Sequence, residues 1–399
     1  MATVRAILAD PVAIGALQFD QRASIIPTSF GSSMQDFLRK INYFEAASLA
    51  ELQGRLAVIR GQQADNAWPA EQLAVCGEAG VPGWFLPQSL GGSEWSKRDI
   101  VRGYLELSAG CLTTAFVLTQ SMGACQRIAS SKNHALRDEV LPDLVSGHKM
   151  ATLGISQLTT SQRHLGKPAL LAIRESDAWV LSGRSPWVTG ARFADWFVLG
   201  AATPAGEQLL CLADSRDPKM VIHDAPALVG LTGSQTSQVD LSGVRIPHQQ
   251  LLAGPTEDLM SKGGGQTGGL QTSALAVGLA GVAIRELQTA SAERPQLGPH
   301  VAALQTEYDR ITAELLLGAG AEAGGFNALA CRARANSLVL RATQAALLAA
   351  KGSGYVQGHP AGRWCQEALF FLVWSCPGPV AESYFRELSQ RISEPTSTA

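Results

Sequence analysis

The sequence lacks the features that mark membrane-spanning and nucleic-acid-binding proteins. Its most apolar stretch, residues 274–284, ends at Arg285 and is well short of the roughly 18 residues that a membrane span needs. Its 32 basic and 34 acidic side chains leave a net charge of −2, with no long block of one sign. Proteins that bind phosphate backbones carry clustered positive charge. Neither a membrane span nor a nucleic-acid partner is therefore expected.

Motifs for metal, nucleotide and hydrolase sites are also missing. The seven cysteines are scattered without a C-x-x-C pair, and the seven histidines stand far apart. The chain has no P-loop, no H-E-x-x-H and no G-x-S-x-G. An odd number of isolated thiols fits buried cysteines in a reducing compartment better than a disulfide framework or a zinc site. We expect a cytoplasmic protein with no metal.

The apolar residues that are present divide the chain into three zones by their spacing. They recur at helical spacing from about residue 33 to 146 and again from residue 270 onward. Residues 149–247 instead carry short apolar runs bounded by Gly, Pro and Asp, which predict an antiparallel β domain of barrel or sandwich type. The sequence predicts an α+β protein with three domains: helical over 1–147, β over 148–252 and helical over 253–399.

Four segments, in order along the chain, resemble motifs of the acyl-CoA dehydrogenase superfamily. Residues 85–92 (FLPQSLGG) are similar to a P-x-x-Y-G-G turn, and residues 182–195 are similar to N-G-x-K-x-W-I-T-x-x-x-x-A-D. Residues 233–247 resemble the end of the superfamily's β domain, and residues 294–305 resemble R-x-x-F-G with a following glutamine. The resemblance implies a flavoprotein with an N-terminal helical domain, a middle antiparallel β-barrel domain and a C-terminal four-helix bundle.

The resemblance also implies residues that hold FAD. Trp187 and Thr189 match the pair beside the flavin ring, and Ser156 matches a threonine whose hydroxyl donates to the flavin. Arg294 matches the arginine on the diphosphate, where a guanidinium suits paired phosphate oxygens, and Gln305 matches a residue from the neighbouring subunit. A homodimer or homotetramer follows. Two alternatives remain: Trp187 as core packing and Arg294 as a solvent-exposed helix end.

The C-terminal motifs depart from the superfamily pattern. Gly352 retains one of a pair of glycines, but Lys351 replaces the other and Leu348 replaces the usual glutamine. Pro377 stands where a threonine is usual. These changes would weaken the adenosine end of an FAD site, which leaves FMN or no flavin as alternatives. Ser375 aligns with the glutamate that removes the α-proton of the acyl thioester, and a serine hydroxyl is no base at neutral pH without an activating neighbour.

Three functions stay open from the sequence. The first is a flavin-dependent oxidoreductase acting on an acyl-CoA or a similar small substrate, with Glu257 or Glu367 as replacement bases. The second is a flavin-dependent monooxygenase, in which Ser156 and His359 lie near the flavin and no α-proton base is needed. The third is a non-catalytic member of the superfamily that keeps the fold as a scaffold or acyl-ligand binder. Fold alone does not decide between them.

Overall fold

The computed structural model describes residues 46–159, 168–257, 259–262, 269–320, 326–374 and 376–389. The chain begins with helices, continues as a sheet and returns to helices, so the predicted α+β architecture is confirmed. The sheet extends from Ala151 to Thr256.

The first unit is a packed group of five helices. Ser96 begins one of them as a cap, because its hydroxyl accepts the Asp99 N–H at 3.2 Å, and Asn133 caps another by accepting the Leu136 N–H. Trp84, which is 2% exposed, fills the centre of this core and stacks on Trp95. The helices are α1 (Ala46–Gln62), α2 (Ala70–Glu78), α3 (Lys97–Gly110), α4 (Leu112–Ala129) and α5 (His134–Val145).

The second unit is one eight-stranded sheet with its own apolar core. Its pairings are antiparallel except that β1 runs parallel to β4 and β2 meets β4 in parallel at a single residue pair. The main path of strands is β6-β7-β3-β2-β4-β5-β8. The strands are β1 (Ala151–Gly154), β2 (Leu170–Arg174), β3 (Ala178–Val188), β4 (Trp196–Ala202), β5 (Gln208–Asp214), β6 (Met220–Ile222), β7 (Ser237–Pro247) and β8 (Leu251–Thr256). A short helix, α6 (Ser156–Thr159), follows β1.

The third unit is built around one long, mostly buried helix, α8, which packs against α3, α9 and α10. The approach of α8 to α3 is close: a Cβ added at Gly278 would lie 2.3 Å from the carbonyl oxygen of Leu105. Only glycine permits such an approach. The helices are α7 (Leu259–Lys262), α8 (Leu270–Glu293), α9 (Gly298–Gly318), α10 (Ala328–Gly354), α11 (Pro360–Ala368) and α12 (Gly378–Ser389).

The described residues contain neither a candidate membrane span nor a candidate metal site. No helix among them is both long and apolar enough to cross a membrane. They also contain no group of three or more His, Cys, Asp or Glu side chains that could hold a metal ion. All seven cysteines lie in the described ranges as free thiols.

Candidate functional site

The first part of the candidate site is a bulge near the end of β3. From Ser185 to Val188, β3 advances three residues while β7 advances two, so one extra residue is accommodated. The bulge leaves the ring of Trp187 54% exposed while Val188 on the next position is fully buried. An indole held at a strand end with half of its surface free offers a face on which a flat ring system can lie.

Thr189, the residue after β3, is only 3% exposed and belongs to a chain of hydroxyl groups. The Thr236 hydroxyl donates to the Thr189 hydroxyl at 3.0 Å, and Thr236 in turn lies 2.8 Å from the Ser234 hydroxyl. The Thr189 carbonyl accepts from the Thr152 hydroxyl at 2.8 Å. Because Thr189 accepts from Thr236, its own hydroxyl hydrogen is left to donate elsewhere.

Ser156 lies beside this corner because of its neighbour Gln157. The Gln157 amide donates to the carbonyl oxygens of Gly154 at 3.0 Å and Gly200 at 2.5 Å, and it accepts from the Ser185 hydroxyl at 3.3 Å. Ser156 at the start of α6 is thereby held next to the bulged end of β3. The structure thus brings Ser156 to the same end of the sheet as Trp187 and Thr189.

The second part of the candidate site is the corner formed by α8 and α10. Arg294, at the C-terminal end of α8, donates through Nη1 to the carbonyl oxygen of Ala349 at 2.8 Å. One bond fixes the guanidinium and leaves its other N–H groups available to an anion. Just beyond Ala349, Gly352 is exposed, and a Cβ placed on it would meet nothing within 4 Å.

Lys351 has a backbone conformation that glycine normally occupies. Its φ of 55° and ψ of −145° interrupt α10. A residue with a side chain pays about 1–3 kcal/mol in such a sparsely populated region. The backbone therefore keeps the conformation expected of a paired-glycine turn, although the sequence has a lysine there. Leu348, which replaces the usual glutamine, is 81% exposed.

Gln305 is engaged within its own subunit. Its side-chain oxygen accepts from Gln288 at 3.0 Å, and its Nε2 donates to Asp309 at 2.7 Å. It lies half-buried between α8 and α9, whereas Arg294 contacts α10. Within one chain, Arg294 and Gln305, both predicted at the cofactor site, therefore have different neighbours.

Ser375, the predicted position of the base, and the glycine stretch 263–268 lie outside the described residues. The residues just before Ser375 form an aromatic cluster. Trp374 stacks on Phe370 with ring centres 5.0 Å apart, and Phe116 of α4 meets both rings edge-on. The Trp374 ring therefore packs in an aromatic cluster, while its carbonyl oxygen accepts from the buried Arg332 guanidinium at 3.0 Å.

The two candidate replacement bases have opposite environments. Glu257 follows β8 and is exposed. Glu367 on α11 is 4% exposed, and burial raises its pKa to about 7, against the lowering effect of Arg363 and Arg60. Sequence reasoning named Glu367 but gave no signal for its burial, because Arg60 and its neighbour Asp65 are far away along the chain.

The order of helices, sheet and helices, with a polar corner at one end of the sheet, defines the acyl-CoA dehydrogenase fold. The solved structure of a glutaryl-coenzyme A dehydrogenase in complex with glutaryl-CoA superposes with a TM-score of 0.75 at 18% identity, covering 92% of this chain and 98% of that one. KijD3 in complex with FMN and dTDP-3-amino-2,3,6-trideoxy-4-keto-3-methyl-D-glucose gives a TM-score of 0.68 at 15% identity, covering 91% and 94%.

Sequence comparison leads to the same family. Residues 45–148 match the family described as acyl-CoA dehydrogenase, N-terminal domain. A probable acyl-CoA dehydrogenase of Bacillus subtilis (strain 168) is 25% identical over 249 residues, which are 60% of this chain and 64% of that protein. The family-model match, the curated relatives and the solved structures all support the acyl-CoA dehydrogenase superfamily. The chain's match spans about half to two thirds of the length of the curated relatives.

Proposed function

We propose that this protein is a flavin-dependent oxidoreductase of acyl-CoA dehydrogenase type that acts on an acyl-CoA or a similar small substrate. The observation that carries the proposal is the corner at the end of β3. There, a half-exposed indole, Trp187, stands beside a buried threonine, Thr189, whose hydroxyl hydrogen is free to donate. A flat, nitrogen-containing ring with an acceptor at its edge is the complementary ligand.

The described residues fit a flavin better at its ring end than at its adenosine end. Trp187 and Thr189 would hold the ring, with Ser156 beside them, and Arg294 would meet a phosphate. A bound flavin would supply acceptance of a hydride or of two electrons. The open space over Gly352 leaves room for a dinucleotide, but the exposed Leu348 offers it no hydrogen bond. FAD is the cofactor we propose, with FMN as the alternative.

Removal of the substrate α-proton is the reaction step for which the expected catalytic residue is missing from this chain. Abstraction of an α-proton needs a base within hydrogen-bond reach, and a positioned base contributes roughly 10²–10⁴-fold. Ser375 supplies no carboxylate, and exposed Glu257 lies at the end of a strand of the sheet. We therefore propose that acyl-CoA binding persists while ordinary α,β-dehydrogenation is slow.

We further propose a homodimer or homotetramer in the cytoplasm. Beside the Lys351 turn, Leu348, Tyr355 and Val356 are large apolar side chains that are exposed on a single chain. Large exposed apolar side chains close together in the chain are often found at subunit interfaces. The free state of all seven cysteines supports a reducing compartment. Light scattering that returned a 42 kDa monomer at micromolar concentration would contradict the assembly.

A flavin-dependent monooxygenase is the second candidate. It is favoured by the missing carboxylate at position 375, because a monooxygenase needs no α-proton base. The complex of KijD3 with FMN shows that a protein of this fold can hold that cofactor. His359 gives it little support, because its Nδ1 accepts the Ala361 N–H at 3.2 Å and caps α11. A non-catalytic role is the third candidate, and it predicts a protein that binds no flavin.

Loading with flavin tests the proposal. The purified protein should take up FAD or FMN and show a yellow absorbance band. Thr189→Val should weaken flavin binding several-fold, because it removes one hydrogen-bond donor worth about 0.5–1.5 kcal/mol. Thr343→Val is the matched control, since the Thr343 hydroxyl is equally buried but bonds to Val339 within its own helix. A protein that binds neither flavin, or equal effects of the two variants, would contradict the proposal.

A further inference from the structure

A polar cavity of about 200 Å³ lies where the three units of the fold meet. The helical unit contributes Arg60 from α1 and Asp65 from the loop after it, and the C-terminal unit contributes Arg363 and Glu367 from α11. The rest of the lining comes from the loop between β6 and β7 and from one further residue of α11: Leu228, Val229, Gly230, Leu231, Thr232 and Gln366. The lining shares no residue with those described at the Trp187 corner.

Glu367 is the unusual group in this cavity. Its side chain is almost fully buried, yet among the described residues no hydrogen bond reaches its carboxylate. Its nearest opposite charge is Arg363, with Nε 3.9 Å from Oε1, which is too long for a hydrogen bond. Buried carboxyl groups in proteins are normally hydrogen-bonded. A carboxyl that faces a cavity without a protein partner has room to meet water or a ligand there.

Arg60 and Arg363 differ in how many of their guanidinium donors have partners in the protein. Arg60 donates to Asp65 at 2.5 Å and to the carbonyl oxygen of Gln63 at 3.1 Å, so its charge is already compensated. Arg363 has a side chain that is 13% exposed, and its ion pair with Glu367 is loose. The guanidinium of Arg363 therefore retains donors for a further anion.

The charges around Glu367 favour an anion over a cation. The groups that act on it are Arg363 on its own helix, Arg60 and Asp65 from the first unit, and the Cys111 thiol between α3 and α4. Burial raises the pKa of Cys111, so that thiol stays neutral, and the loop from Leu228 to Thr232 carries no titratable side chain. With Glu367 protonated, two guanidinium groups face one carboxylate and the cavity has a net positive charge.

Size limits the ligand. Drug-sized ligands occupy pockets of roughly 300–1,000 Å³. A cavity of about 200 Å³ holds a small anion with a few water molecules, and it is too small for an acyl-CoA. From these observations we propose that the cavity binds a small oxyanion, a monocarboxylate of the size of acetate or inorganic phosphate, between the Arg363 guanidinium and the Glu367 carboxyl.

The sign of the pH dependence follows from this arrangement. The anion binds the form in which Glu367 is protonated, so binding is strongest below pH 7 and weakens as the carboxyl ionises. Because the pKa of Glu367 is about 7, affinity should fall about tenfold between pH 6 and pH 8. Phosphate changes its own charge over this range, so acetate gives the cleaner profile.

Isothermal titration calorimetry of the full chain with sodium acetate, at constant ionic strength with sodium chloride as the balance, tests the proposal. Acetate should bind saturably at pH 6 and about tenfold more weakly at pH 8. Glu367→Gln should bind equally at both pH values, because glutamine keeps a neutral donor at this position. Arg363→Gln should lose binding more than tenfold, while Arg245→Gln, which removes a surface ion pair on β7, should not change it.

A parallel titration with phosphate separates the two sources of the ligand. Binding of acetate alone supports an organic carboxylate, and binding of both supports a general oxyanion site. The absence of saturable binding of either anion to the wild-type protein would overturn the proposal. So would an Arg363→Gln variant that binds like wild type or a Glu367→Gln variant that keeps the pH dependence. If Arg363→Gln fails to fold, the wild-type pH profile and Glu367→Gln still decide.

Discussion

The sheet end and the C-terminal end of the candidate site differ in how closely they follow the superfamily pattern. At the sheet end, Trp187 and Thr189 are present, and the bulge in β3 places them side by side. At the C-terminal end, Leu348, Lys351 and Ser375 all replace expected residues. The comparison indicates that the residues predicted to hold a flavin ring are kept, while those predicted to contact its adenosine end and to remove a substrate proton are changed.

The largest expected effect concerns the missing base. Wild-type protein should show almost no α,β-dehydrogenation of straight-chain acyl-CoAs in a dye-linked assay, because a positioned base contributes roughly 10²–10⁴-fold. Ser375→Glu should raise this activity. Ser375→Gln should not, because glutamine has the shape of glutamate but no carboxylate to act as a base. Robust wild-type turnover would show that another carboxylate has taken over.

The next effect compares Arg294 with Arg245, an arginine outside the candidate site. Arg294→Ala should weaken flavin binding by about 1.5–3 kcal/mol, the usual value of a charge-assisted hydrogen bond. Arg245→Ala, which removes only exposed ion pairs with Glu175 and Asp177, should leave it unchanged. Flavin fluorescence titration measures both. Equal flavin affinity of the two variants would refute the placement of Arg294 at a phosphate.

Two glycines of the C-terminal corner give an internal control. Gly354→Ala should destabilise the protein by about 1–3 kcal/mol, because its Cβ would lie 2.7 Å from the Cβ of Ala350. Gly352→Ala should barely change stability, since nothing lies within 4 Å of the added carbon. If a dinucleotide lies over Gly352, the same variant should still weaken FAD binding. Urea unfolding and flavin titration separate the two effects, and unchanged FAD binding by Gly352→Ala would argue for FMN.

The smallest effect concerns the backbone at Lys351. Lys351→Gly should stabilise the protein by about 1 kcal/mol, because glycine adopts a φ of 55° without steric cost. Lys351→Ala should give no such gain, since alanine meets the same restriction. Urea midpoints of the three proteins measure the difference. A glycine variant no more stable than the alanine variant would mean that the turn relaxes around the lysine.

Local sequence patterns predicted the architecture, but they did not predict the geometry around Trp187 or around Arg294. Helical and strand periodicities predicted the order of the three zones, and turn residues bounded the strands. The parallel pairing of β1 with β4 was not predicted, because it depends on residues far apart in the chain. The bulge at Ser185–Val188 depends on the register with β7, and the burial of Glu367 depends on α1. Motif matching found Trp187 and Arg294, but only coordinates show what each contacts.

The central claim is that the chain keeps a flavin-ring corner without a working base. Anaerobic mixing of flavin-loaded protein with butyryl-CoA, followed by flavin absorbance, tests it most directly. The account predicts that wild-type protein binds flavin but keeps its yellow band over the time in which Ser375→Glu is bleached. Rapid bleaching of the wild-type protein, or failure of both proteins to bind any flavin, would contradict it.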